Sequence, residues 1–297
     1  MIEELKKKFT MTNAADDWTE FRGNLTSLVS HYGTLNGSKK LAIVGAGRCN
    51  DLCLVRLLDT YENIVMIDND SEAMKEAVKD MPVNYLNRIE CKEFSITGLY
   101  VEDIDRFCLD LFSFVKNAGY SLNMEMYQKH IISGLDRLDE QLIKTPDRIV
   151  HVLGGADVIV CNGVFSQLFS MLLFFISSLS VSIAESLLPD AEDAIALAEK
   201  KLSMISDKVI PIINDALFEA AKDFVIYGNE YDEKRPVEGA HQCIQDIRTR
   251  YEDVIEEHLD WNFNRKQGVM YDMLISVCNV SKTKDKLKHI KGGLNYV

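Results

Sequence analysis

Between Lys40 and Glu233 the chain repeats one pattern: a short apolar run, a stretch with helical periodicity, then another short apolar run. Strands of a parallel sheet are buried on both faces and must be joined by crossover helices, and this alternation is how such an architecture is written in sequence. The runs are "LAIV" (41–44), "IVMI" (64–67), "RIECKEFSITGL" (88–99), "ADVIVCNGVF" (156–165) and "DFVIYGNEYDE" (223–233). The third alternates more than the others, as an outer strand does. After a helical segment around 239–258, "HLDWNFN", the turn-like "RKQG" and "VMYDMLISVCNVSK" alternate as two antiparallel strands. The expectation is an α/β fold with a doubly wound, mostly parallel sheet and an antiparallel last strand.

Helices are expected around this sheet. Residues 1–38 read as a helical prelude, with Trp18, Phe21, Leu25, Leu28 and Val29 at three- and four-residue steps. Stretches 100–150 and 164–222 are too long for ordinary crossovers and read as helical insertions, candidate lids or oligomer contacts, with Pro189 and Pro211 as expected breaks.

The first strand ends in "VGAGRCNDL" (44–52). Gly45 and Gly47 allow the left-handed backbone of a sharp strand-to-helix turn and leave room for a ligand against bare backbone. They give G-x-G, but Asn50 stands where a third glycine of a dinucleotide motif belongs, so close helix-to-strand packing is not provided for. Asp68, ending the second run, suits ribose hydroxyls in either a nicotinamide dinucleotide or S-adenosylmethionine. A plain tight turn without a ligand is the bland alternative. Asn50 and Asp51 read as a helix N-cap and its neighbour, and Asp70 before "SEAMKEAV" as another N-cap.

A formal net charge of -13 opposes a nucleic-acid substrate, since polyanion binding draws on basic surface. The lysines at 282, 284, 286, 288 and 291 read as a solvated end. Seven cysteines, an odd number without a CxxC pair, fit a reducing cytoplasm, and Cys49 and Cys53 lack the further ligands of a metal site. No secretory signal is expected at "MIEELKKKFTMTNAADDW". The stretch "VFSQLFSMLLFFISSLSVSIA" (164–184) carries no formal charge, but its serines and its place after a core strand favour a buried or dimer-forming helix over a membrane span.

From about Lys40 to Lys282 the chain resembles the class I S-adenosylmethionine-dependent methyltransferases, a Rossmann-like family. "IVGAGRCNDL" resembles the glycine-rich first motif, "IVMIDND" the acid-ended second, "FSITGL" the segment lining the adenine, and "ADVIVCNGVFSQL" the fourth strand and its loop. The resemblance implies a Rossmann-like methyltransferase domain over 39–297 and S-adenosylmethionine as cofactor. It implies cofactor contacts from Gly45, Ala46 and Gly47 to the methionine part, Asp68 to the ribose, Asn69, Ser95 and Ile96 near the adenine, and Asn162 beyond the fourth strand. "CNGVF" does not match the Asn/Asp-Pro-Pro-aromatic loop of amino-group methyltransferases acting on nucleic acids, so a small-molecule acceptor is expected. The catalytic residue stays unassigned. Glu230 and Asp232 are candidate bases, Tyr231 and Asn162 candidate orienters, His151 and His241 weaker bases, and Trp18 and Arg22 possible caps of the cleft, with core packing and a surface ion pair as their bland readings. A nicotinamide-dependent oxidoreductase and a non-catalytic dimerising relative remain alternatives.

Overall fold

The computed structural model describes residues 13–281; the expectations for the first twelve residues and for the lysine-rich end fall outside them. Seven strands form one sheet in the order β3-β2-β1-β4-β5-β7-β6. They are β1 (Lys40–Val44), β2 (Asn63–Asp68), β3 (Ile89–Glu93), β4 (Val158–Asn162), β5 (Phe224–Glu230), β6 (Val254–Asn264) and β7 (Val269–Asn279). The first five pair in parallel, whereas β7 runs antiparallel to both β5 and β6. This is the doubly wound, Rossmann-like arrangement expected from the sequence, closed by an antiparallel hairpin.

Period-two alternation along the central strands explains how each apolar run feeds two cores. Ala42, Val44, Val65, Ile67, Ile159, Cys161, Val225 and Tyr227 face one cluster. Leu41, Ile43, Ile64, Met66, Val158, Val160, Phe224 and Ile226 face the other. Every residue of β4 and β5 is buried, and β3, the outer strand, is only partly covered.

On one side of the sheet, α1 (Ala14–Asp17), α2 (Thr19–Asn36), α3 (Leu54–Thr60), α4 (Ser71–Val78) and α5 (Val83–Leu86) are the helices that precede β3. Phe21, Leu25 and Val29 form the buried stripe of α2, each side chain contributing about 1.5–3 kcal/mol by leaving water. The first long insertion is α6 (Val101–Ala118), α7 (Met124–Gln141) and α8 (Asp147–Leu153); the second is α9 (Ser170–Ala184) and α10 (Asp193–Ala220). Pro189 lies in the turn between α9 and α10 as expected, but Pro211 does not break its helix. Val209, Ile210, Ile213 and Leu217 are buried on either side of it, and that packing outweighs the cost of about 3 kcal/mol for an internal proline.

The helical segment after β5 is shorter than expected. Helix α11 (Ala240–Arg250) stops well before 258, and the chain is already extended from Val254 because β6 pairs along its length with β7. The apolar stretch at 164–184 is a short turn of 3-10 helix followed by α9. Phe165–Ala184 is long and apolar enough to cross a membrane, and a third (33%) of it is buried in the fold. Leu172, Phe175, Ile176 and Ile183 pack inward, and Ser180 meets the Tyr127 hydroxyl at 2.9 Å.

Candidate functional site

At the carboxyl end of β1 the chain turns through three left-handed residues: Gly45 (φ 68°), Gly47 (φ 46°) and, unexpectedly for a side chain with a Cβ, Cys49 (φ 52°). The amides of Gly45 and Ala46 both donate to the Ile67 carbonyl, at 2.9 and 3.2 Å, so the turn folds over the end of β2. A Cβ on Gly45 would lie 2.3 Å from Val164 Cγ2, whereas one on Gly47 would meet nothing nearer than Asp68 Oδ2 at 3.9 Å. The first glycine is demanded by packing and conformation together, the second by conformation alone.

Because the turn is prolonged to Cys49, the next helix begins late. Its N-cap is Cys53, with no side-chain cap bond, so Asn50 and Asp51 do not cap α3 as expected. Asp51 is instead drawn across the sheet end, where Asn162 Nδ2 donates to its Oδ2 at 2.7 Å. Burial raises the Asp51 carboxyl above the ordinary range against the opposing effects of the Asn162 bond and the Arg22 charge. Asp70 does cap its helix, accepting from the Ala73 amide at 3.0 Å.

Asp68 sits directly beneath the glycine turn. Its Oδ2 accepts the Gly47 amide at 2.8 Å and its Oδ1 the Asp70 amide at 2.8 Å. One carboxylate thereby fixes the turns that follow both β1 and β2.

These turns open onto a cleft of about 1040 Å³ lined by Gly45–Asp51, Asn69–Ala73, Glu76, Val101, Glu102, Asn162, Gly163, Gln167, Ser170, Glu230 and four aromatic side chains. The aromatics are Trp18 from the loop between α1 and α2, and Trp261, Phe263 and Tyr271 from the β6–β7 hairpin. They brace one another: Trp18 stacks on Phe263 with centroids 5.4 Å apart and meets Trp261 edge-on at 4.8 Å. Trp18 Nε1 also donates to the Phe263 carbonyl at 2.9 Å. Arg22 forms no surface ion pair among the described residues; its guanidinium donates to the Asn50 carbonyl at 2.7 Å and to that of Ala15, bracing the turn from behind.

Charge on the wall is one-sided. Asp51, Asp70, Glu72, Glu76, Glu102 and Glu230 line the cleft, and Arg48 is the one cation among the described lining residues. Glu230 is 7% exposed; its Oε1 accepts from Ser166 Oγ at 2.8 Å, while Oε2 is buried without a hydrogen-bond partner. Burial pushes its carboxyl up, partly offset by hydrogen bonds from its own backbone and Ser166.

Of the residues the sequence nominated, Gly45, Ala46, Gly47, Asn69 and Asn162 stand on the cleft wall, and Asp68 lies under it. Ser95 and Ile96 are not on that wall: Ser95 is buried with its hydroxyl 3.1 Å from that of Thr97, and Ile96 packs against the core. Between the candidate bases the structure separates cleanly. Glu230 lines the cleft, whereas Asp232 is exposed and closes a turn by accepting the Lys234 and Arg235 amides at 2.8 and 3.0 Å. Tyr231 donates to Glu233, and His151 and His241 are exposed and off the wall. Among the described residues no cluster of His, Cys, Asp and Glu is placed to hold a metal ion.

Sequence reasoning favoured a helix-cap neighbour over a ligand contact for Asp51, and missed Val101, Glu102 and the hairpin aromatics on the wall. Trp261 and Phe263 are two apart in "DWNFN", so the alternation that marked the strand also marked a shared aromatic face.

No family model matches the chain, and no curated protein sequence matches it. Among solved structures it is similar to the N-methyltransferase NodS from Bradyrhizobium japonicum WM9 in complex with S-adenosyl-L-homocysteine, at 11% identity and a TM-score of 0.43, over 93% of this chain and 96% of that one. It is similar to an O-methyltransferase from Bacillus cereus, also in complex with S-adenosylhomocysteine, at 11% identity and a TM-score of 0.41, over 94% and 90%. A putative RNA methyltransferase from Pyrococcus horikoshii is similar at 10% identity and a TM-score of 0.41, over 91% and 89%.

Proposed function

We propose that this chain is an S-adenosylmethionine-dependent methyltransferase acting on a small molecule. The observation that carries the proposal is the acidic, aromatic-walled cleft opening at the glycine turn, with Asp68 bonded to the Gly47 amide beneath it. A nucleoside sulfonium carries net positive charge, and a wall with Asp51, Glu102 and Glu230 suits it. A dinucleotide brings a pyrophosphate, which that wall repels.

The residues fit the cofactor. Gly45 and Gly47 offer bare backbone to its amino-acid part, Asn69 lines the cleft just past β2 beside the adenosyl part, Asp68 beneath holds the turn against which the ribose would rest, and Asn162 and Glu230 flank the space beyond the turn. The bound cofactor supplies an electrophilic methyl group on sulfur. The protein's share is orientation and exclusion of water, which the aromatic wall of Trp18, Trp261 and Phe263 provides. The same acidic lining opposes a nucleic-acid acceptor.

The two competing readings fare worse on the same features. A dinucleotide-binding oxidoreductase more often finishes in another parallel crossover, whereas β7 is antiparallel. A non-catalytic relative has no need of an open cleft, whereas this one measures about 1040 Å³. Calorimetric titration tests the proposal: S-adenosylhomocysteine binds and NAD does not. Binding of NAD alone overturns it.

A further inference from the structure

A second space of about 340 Å³ lies between α9, α10 and the loop entering α11, lined by Phe165, Phe169, Leu173, Leu202, Val237 and neighbouring polar groups. It adjoins the cleft, because Ser170 lines both and Ser166, on its own wall, donates to Glu230 on the wall of the cleft. Gly239 holds the loop tight against this space, for a Cβ there would lie 2.1 Å from the Phe165 carbonyl oxygen. The chamber is therefore built, and Glu230, whose Oε2 is buried without a hydrogen-bond partner, stands on the cleft wall next to it, bonded through Oε1 to Ser166 on the chamber wall.

We propose that this chamber holds the methyl acceptor, that the acceptor is an amine with an apolar body, and that Glu230 receives its nitrogen; the inference rests on the methyltransferase reading. Phenyl and alkyl walls take the apolar body. An unpartnered buried carboxylate oxygen is costly and is best satisfied by a cationic donor. An ammonium forms a charge-assisted bond there, an alcohol a neutral one, and a carboxylate or phosphate acceptor is repelled by Glu230 and by Glu199 and Glu238 on the chamber wall.

The chemistry balances with these groups alone. The ammonium proton passes to the Glu230 carboxylate, and the nitrogen lone pair then forms the N–C bond as the S–C bond breaks. The bonding pair stays on sulfur, giving the neutral thioether, while the methylated nitrogen takes the positive charge that sulfur loses.

The test is binding of phenethylamine and of its isostere phenethyl alcohol, by calorimetry on the full chain saturated with S-adenosylhomocysteine. The amine binds about tenfold or more tightly than the alcohol, the size of one charge-assisted hydrogen bond. Glu230→Gln removes that preference. Leu173→Trp, which fills the chamber away from the cleft wall, abolishes amine binding and leaves S-adenosylhomocysteine binding in place; circular dichroism on both variants confirms folding. Equal affinity for the two probes, binding of neither, or a preference that survives Glu230→Gln overturns the inference and leaves the methyltransferase reading intact. Absence of S-adenosylhomocysteine binding by the wild type is the separate result that removes that reading and this inference with it.

Discussion

Asn162 Nδ2 donates to Asp51 Oδ2 across 2.7 Å, tying the end of β4 to the turn that leaves β1. The bond satisfies a desolvated carboxylate and stops the turn from continuing straight into α3. Replacing Asn162 by Ala leaves that carboxylate without its amide partner, which destabilises the chain by about 1–3 kcal/mol and loosens the glycine turn. Urea unfolding and S-adenosylhomocysteine titration of Asn162→Ala, Asp51→Asn and the double variant measure the coupling. Strictly additive single effects would show that the bond contributes nothing.

The two glycines of the turn respond differently to alanine. Gly45→Ala drives a methyl group into Val164 and imposes a left-handed alanine as well, so it loses both stability and cofactor binding. Gly47→Ala has room and suffers only the backbone term, about 1–2 kcal/mol. Adding Val164→Ala to Gly45→Ala recovers part of the loss and adds nothing to Gly47→Ala. Thermal melts of the four variants decide this; equal damage from both glycine substitutions contradicts it.

Glu230 carries a pH-dependent cost in stability. Its carboxyl is raised by burial, so in the folded chain the charged form is disfavoured relative to the unfolded one. The penalty is absent below about pH 4, the ordinary glutamate range, and complete only above the raised folded value. Glu230→Gln therefore melts at a higher temperature than wild type near neutral pH, and the gain disappears on acidification. A gain that is the same at every pH rules out titration of this carboxyl as its source.

Asp157 has the opposite sign. Its Oδ2 accepts the Lys39 and Lys40 amides, each at 2.8 Å, and Lys222 Nζ lies 2.8 Å from Oδ1. Burial pushes this carboxyl up, but those bonds prevail and hold it below the usual range. The stability it contributes is complete above about pH 4, the unfolded aspartate range, and is lost as pH falls through the lower folded value. Asp157→Asn costs about 1–3 kcal/mol at neutral pH, and urea titrations of the two proteins converge in acid.

The sheet was legible because burial on both faces leaves nothing ambiguous: "VIVCN" and "FVIYGNE" admit no solvent-exposed face, and both are fully covered strands. The glycine turn and its acid were legible for the same local reason, since Gly45 and Gly47 have few other uses at a strand exit. The path beyond them was not. Nothing in the letters shows that Cys49 adopts a positive φ, so the start of α3 was placed too early and Asp51 was read as part of its cap. The roles of Glu230, Ser166 and the hairpin aromatics depend on strands and helices distant in the chain meeting at one sheet end. Pro211 was misread because local propensity was weighed without the burial of Ile210 and Ile213.

The indole of Trp18 reaches the backbone of Phe263, so one edge of the ligand space is stitched from segments 245 positions apart. A nascent polypeptide can lay down the parallel strands and the glycine bend long before that stitch exists. Any binding in the cleft would then report that the hairpin has docked, and a strip of aromatic rings serves as a checkpoint on assembly as well as a wall.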